Sequence, residues 1–181
     1  EDNRRAAKQS SALHTATNHT LLLMKSLEQA QSINYFMAAY LRMRDGDVSE
    51  FEKIAADIVP YYSAISFVAL LPDGVVSRVF PLHGNKDAMG FNPLNDVNQE
   101  SFVQHAIHGK HITFTPPIPL RQGGMGVVVR LPVYLNHGGD EKYWGLTSVI
   151  IRTEQLLNQS NIQQLGDDDL HYALYVSSSI D

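Results

Sequence analysis

Cysteine is absent from the 181 residues, which excludes disulfides and thiolate metal sites. Positive charge is scarce too. Fourteen Lys and Arg against nineteen Asp and Glu leave a net charge of −5 with no basic cluster, which argues against a nucleic-acid surface. No apolar run approaches the ~20 residues that a membrane-spanning helix needs. The opening "EDNRRAAKQSS" lacks the apolar core of a signal peptide. That silence fits a cytosolic protein or a piece cut from between membrane spans. Glycine and proline are both missing from residues 6 to 44, which permits one very long helix. What the chain does have is a 44% hydrophobic fraction, enough for the core of one domain with an extension.

Within the long helix, Leu13, Ala16, Thr20, Leu23, Leu27, Ala30, Asn34, Met37 and Leu41 fall on alternating steps of three and four. This is a seam suited to packing on another helix. The polar first half has little else to bury, so a stalk or dimer helix is expected. "RDGD" breaks it, and Ser49 with Glu52 offers a capping box for a second helix ending before Pro60. "AISFVALLPDGVVSRVFPL" reads as two strands around a "PDG" turn, and residues 83 to 96 as irregular. Asp96 with Gln99 opens a third helix ending at Gly109. "HITFTPP" is a short strand, and "RQGGMG" a turn into "VVVRLPVY". "KYWGLTSVII" is a further strand, Thr153 caps a short helix, and "LHYALYVSSSI" is a last strand. Strands joined by short turns imply an antiparallel sheet with helices packed to one side. The expected class is α+β, a PAS-like sheet with flanking helices on a long N-terminal stalk helix.

Three stretches together resemble the CHASE family, the extracytoplasmic sensory domain of receptor histidine kinases and nucleotide cyclases. They are "ISFVALLPDGVVSRVFPLHGNKDAMGFNPLND", "AIHGKHITFTPPIPLRQGGMGVVVRLPVY" and "YWGLTSVII". The resemblance covers roughly residues 48 to 165, and the preceding helix fits the family's stalk. It implies a domain outside the cytoplasmic membrane, held between two transmembrane helices, with a small ligand in a PAS-like distal pocket. It also implies residues 1–45 as stalk and dimerisation helix, 46–166 as the membrane-distal ligand-binding domain, and 167–181 as the start of a truncated membrane-proximal subdomain. Carried over by position, the family's plant members have an aspartate where this chain has Asn92, a threonine where it has Arg130, and a pocket leucine at Leu120. Two polar pocket positions therefore differ in chemistry from the hormone-binding members.

Arg130 is the position that matters most. On a two-residue period Val127, Val129, Leu131 and Val133 face one way, and Val128, Arg130, Pro132 and Tyr134 the other. A buried guanidinium needs a carboxylate, phosphate or carbonyl cluster beside it. Its fork suits bidentate capture of a planar anion. Arg130 is thus expected either to clamp an anionic ligand, with Asn92 and Tyr134 orienting it, or to stand in solvent or pair with Asp73 or Asp96. Tyr61, Tyr62 and Trp144 are candidate aromatic walls. A cavity of ~300 Å³ or more beside Arg130 would favour a small-molecule site.

Other motifs carry less. "GGDE" at 138–141 resembles the signature turn of diguanylate cyclases, but Lys142 replaces its phenylalanine and no upstream metal-binding aspartate pattern appears. His105, His108 and His111 are read as surface histidines. No nucleophile–base or paired-carboxylate constellation is present, so no enzyme and no cofactor are expected. The expected function is an extracytoplasmic ligand-sensing domain of a transmembrane receptor. It would bind a small molecule, anionic if Arg130 faces the pocket, and signal through a homodimer's stalk helices to a kinase or cyclic-di-GMP output domain. It would be membrane-anchored in the intact protein, though not through this segment. The alternative is a protein-interaction module reading a periplasmic partner.

Overall fold

The computed structural model describes residues 2–162. With nothing in its sequence to break it, helix α1 runs from Asp2 to Met43, on the order of 60 Å at 1.5 Å per residue. Helix α2 (Phe51–Ile58) follows, then a 3₁₀ turn over Val59–Tyr61 that carries Pro60. Strands β1 (Phe67–Pro72) and β2 (Arg78–Phe80) form the hairpin around "PDG". Two 3₁₀ turns, Lys86–Ala88 and Pro93–Asn95, lie in the irregular stretch before helix α3 (Glu100–Gly109). Short strands β3 (Thr113–Phe114) and β4 (Ile118–Pro119) precede the long strands β5 (Met125–His137) and β6 (Asp140–Arg152). Helix α4 (Thr153–Ser160) closes the described chain. The expected last strand, "LHYALYVSSSI", lies outside the described residues.

The sheet is antiparallel throughout, in the order β2-β1-β6-β5-β3, with β4 paired to the start of β5. The α+β, PAS-like expectation holds, with one correction: helices do not pack to one side only. Helices α1, α2 and α4 cover one face, packing on Val127, Val129, Leu131 and Val133. The other face carries Val128, Leu146 and Ile150, and is closed by α3 and the segment around Ala88 and Phe91. Both faces of β5 are therefore inside the protein.

Three expected caps do not form, that of Asp96 among them, because its Oδ1 takes the Asn98 amide (2.8 Å) and α3 starts at Glu100 without a side-chain cap. Asp47 captures both the Ser49 amide (2.9 Å) and the Ser49 hydroxyl (2.8 Å), and α2 starts at Phe51 behind Glu50, so Ser49 is not at the cap position. Glu52 instead faces Arg78 at 3.3 Å. A carboxylate two residues away closes a local turn more readily than a hydroxyl reaches the next helical turn. Thr153 is already the first residue of α4, and its hydroxyl has no partner.

The α1 seam divides in two. Ala30, Asn34, Met37 and Leu41 are buried in the domain's own core, which the sheet, α2 and α4 share, whereas Leu13 is 70% exposed. One polar residue bolts the buried half. Asn34 donates to Val129 O (3.0 Å) and Ala30 O (3.1 Å), and accepts from the Thr147 hydroxyl (2.8 Å). Asn34→Ala is expected to destabilise by about 1–3 kcal/mol, because it leaves the Val129 carbonyl without that donor in a dry interface. A denaturant titration showing an unchanged midpoint would remove Asn34 from this role.

Candidate functional site

Strand pairing places Arg130 on an interior strand of the sheet, with Ser148 of β6 opposite on one side and Thr113 of β3 on the other. Its side chain lies on the face covered by α3, and only 5% of the residue is exposed. Nε donates to Ser148 Oγ at 3.1 Å, and Nη2 to Gln99 Oε1 at 2.5 Å. Both partners are neutral. Nη1 is buried with no hydrogen-bond partner at all. None of the ion pairs among the described residues includes Arg130.

Burial pulls the Arg130 pKa down to about 10, against the opposing fields of Asp96 and Tyr143. The group therefore remains a cation at neutral pH. Holding a desolvated guanidinium without a carboxylate costs several kcal/mol. Folding alone gives no reason to keep it there.

Arg130 is one of the residues that line a cavity of about 40 Å³. Its floor is the sheet: Phe67, Ala69 and Leu71 of β1, Val128 and Arg130 of β5, and Ser148 and Ile150 of β6. Its roof is Val76, Ala88, Phe91, Gln99 and the Leu120–Gln122 segment. At the edge the exposed Arg121 guanidinium lies 5.9 Å from the Phe91 ring centroid. The roof is tied down beyond Leu120. Arg152 donates to Gly123 O (2.9 Å) and to Asn85 Oδ1 (3.3 Å), and the buried Asn85 is itself anchored on Pro81 O at 2.9 Å.

Of the residues singled out from sequence, Arg130 and Leu120 meet at this cavity. The other five lie elsewhere. The Asn92 side chain accepts from the Leu94 amide at 2.9 Å, because Pro93 has no N–H and the next free donor is one residue on. Tyr134 is on the Arg130 face but beyond an irregularity at Val133/Tyr134. Its hydroxyl donates to Ile107 O of α3 at 2.8 Å, and its ring meets Tyr143 edge-on at 5.6 Å. Tyr62 and Trp144 pack against the opposite, α1-covered core, and Tyr61 is 84% exposed. Tyr143, not singled out, also carries a buried hydroxyl without a partner. Burial pushes its pKa up to about 12, with Tyr134 and Asp73 acting the same way and Arg130 opposing.

Sequence reasoning also missed Gln99, Ser148 and Phe91 as site residues. Ser148 left a faint signal as a small polar residue inside the apolar run "GLTSVII". Gln99 was read as the partner, three residues on, of an Asp96 cap. It sits at the N-cap position of α3 itself, but its side chain turns to Arg130 and makes no cap.

The remaining motifs stay outside the site. Glu141 of the "GGDE" turn pairs with Lys110 on the surface. His105, His108 and His111 are exposed, and the rings of His105 and His111 touch edge-on at 4.8 Å. Among the described residues no group of three or more His, Asp or Glu could hold a metal ion, and no helix is long and apolar enough to cross a membrane.

Comparison with known proteins bears on this geometry. The family model for the CHASE domain matches residues 20–180. The ligand-binding domain of the Pseudomonas aeruginosa PAO1 amino acid chemoreceptor PctC, solved with GABA, is 20% identical with a TM-score of 0.59, covering 79% of this chain and 66% of that one. That of PctB from the same organism, solved with L-Arg, gives 14% and 0.55, covering 88% and 62%. The sensor domain of the V. cholerae histidine kinase DctB gives 11% and 0.58, covering 87% and 60%. At these identities the likeness is one of fold, and the chain spans less than two thirds of each of those structures. No curated protein matches the chain.

Proposed function

Because the chain belongs to the CHASE family, we propose that it is the extracytoplasmic ligand-sensing part of a transmembrane receptor and that the cavity around Arg130 is its ligand site. Residues 46–166 form the membrane-distal binding module, and 167–181 begin a membrane-proximal half. Residues 1–45 form the stalk, through which a homodimer passes the signal to a cytoplasmic kinase or cyclic-di-GMP output. Arg130 anchors a small ligand and Leu120 walls it in. The protein binds; it does not catalyse.

One observation carries the reading: a charged, nearly fully buried guanidinium whose Nη1 has no partner and whose only partners are neutral. A ligand acceptor at Nη1 would offset the desolvation that the fold leaves uncompensated. The neighbours' ligands, GABA and L-Arg, support a small organic molecule as the class of guest. At about 40 Å³ the cavity falls short of the ~300 Å³ expected of a small-molecule site, so a guest of more than a few atoms requires the Leu120–Gln122 roof to move.

Thermal-shift titration of the chain against small organic anions tests the reading. A binder present at ~100 times its Kd stabilises the fold by about 2.7 kcal/mol, and Arg130→Ala is expected to abolish that shift. A ligand that stabilises the variant equally would overturn Arg130 as the anchor. Since Arg130 stays protonated up to about pH 10, affinity is expected to be level from roughly pH 6 to 9. A midpoint inside that range with a non-titrating ligand would point to another group.

A further inference from the structure

Resting on the reading of the Arg130 cavity as the ligand site, we propose that its ligand is a short-chain carboxylate without an ammonium group, and that the site rejects zwitterionic amino acids. The lining contains two arginines and not one aspartate, glutamate or histidine. A carboxylate has what the site lacks, an acceptor for Arg130 Nη1. Ser148 Oγ already accepts from Arg130 Nε and keeps its own O–H to give, so it is placed to serve a second carboxylate oxygen. Arg121 at the edge adds a positive field that draws an anion towards the opening.

An ammonium has no counterpart in this lining. Seated beside Arg130, it would face a like charge and lose water without gaining an anionic acceptor. The rest of the wall is hydrocarbon from Phe67, Val128 and Ile150, which suits an alkyl tail. Volume limits that tail. About 40 Å³ holds roughly three water-sized groups, which is the carboxylate itself, so a tail of one or two carbons is seated as the Leu120–Gln122 roof moves.

Three compounds of matched skeleton separate the possibilities by calorimetry on the full chain: propionate, alanine and propylamine. Propionate is expected to bind. Alanine should bind weaker by on the order of a hundred-fold, and propylamine not measurably, the penalty being an unpaired buried charge. Arg130→Met should lose propionate binding, and Ser148→Ala, which leaves the guanidinium in place, should weaken it several-fold. Alanine binding as tightly as propionate, with that binding lost in Arg130→Met, would overturn the ligand class and leave the site intact. So would failure of propionate while another anion still binds through Arg130. Absence of any Arg130-dependent binding would overturn both the class and the site.

Discussion

Gly145→Ala is expected to destabilise the fold by more than about 4 kcal/mol, enough to leave little native protein. A Cβ at this position would lie 2.0 Å from Leu71 O and 2.8 Å from Pro72 Cα, both backbone atoms of β1 that no rotamer change can move. The residue also has φ +149, a conformation that L side chains rarely adopt. The close approach arises where β6 pairs with Pro72 of β1 and Val133 of β5, beside the irregularity that lets Trp144 turn to the α1 core while Tyr143 stays on the other. Gly84→Ala is the control. It also has a positive φ, +76, but nothing lies within 4 Å of its would-be Cβ. It should therefore cost only the backbone strain, about 1–2 kcal/mol. Circular dichroism melts of the two variants decide the matter. Equal losses would mean that dihedral strain, not the approach of β1, makes this glycine necessary.

The same residue shows what could be read from the chain alone. "YWG" pointed to a strand and to a family, yet only pairing with Leu71 and Pro72 reveals why the third residue has no side chain. Local signals behaved likewise throughout. The break at Gly46, the "PDG" hairpin, the helix ending at Gly109 and the alternation along β5 are backbone or periodicity effects, and all appear in the structure. Side-chain partnerships were harder, because polar groups have competing offers. Ser49 went to Asp47, Gln99 to Arg130, Asn92 to the Leu94 amide and Tyr134 to the Ile107 carbonyl. Two-residue periodicity put Arg130 on the right face, but could not say that α3 and the 82–99 segment would roof that face. Tyr62 and Trp144 show the converse. Large aromatics fit either core equally well, and here the α1 side took both.

Replacing Arg130 by Met together with Gln99 by Leu is expected to stabilise the ligand-free protein by about 1–3 kcal/mol, a rise of several degrees in Tm, while abolishing its response to anions. The cation's desolvation disappears, and so does the Gln99 acceptor that would otherwise be stranded. Arg130→Met alone should be close to neutral, because relief of desolvation is set against an orphaned Gln99 Oε1 worth about 1–3 kcal/mol. If Arg130 were instead a rivet holding α3 to the sheet, both variants would lose about 3–5 kcal/mol, as when one partner of a buried pair is removed. The pH dependence gives an independent check. Burial holds the folded-state pKa, about 10, below that of the unfolded chain, so below pH 10 the unfolded chain carries the charge more cheaply and the native state bears the full penalty. That penalty fades as pH rises above about 10, where native Arg130 sheds its proton before the unfolded chain does. The stability gap between double variant and wild type should therefore be constant from roughly pH 6 to 9 and narrow above pH 10. A gap that widens with alkali would mean Arg130 is stabilised by its surroundings, and the cavity beside it would then have no call on a guest.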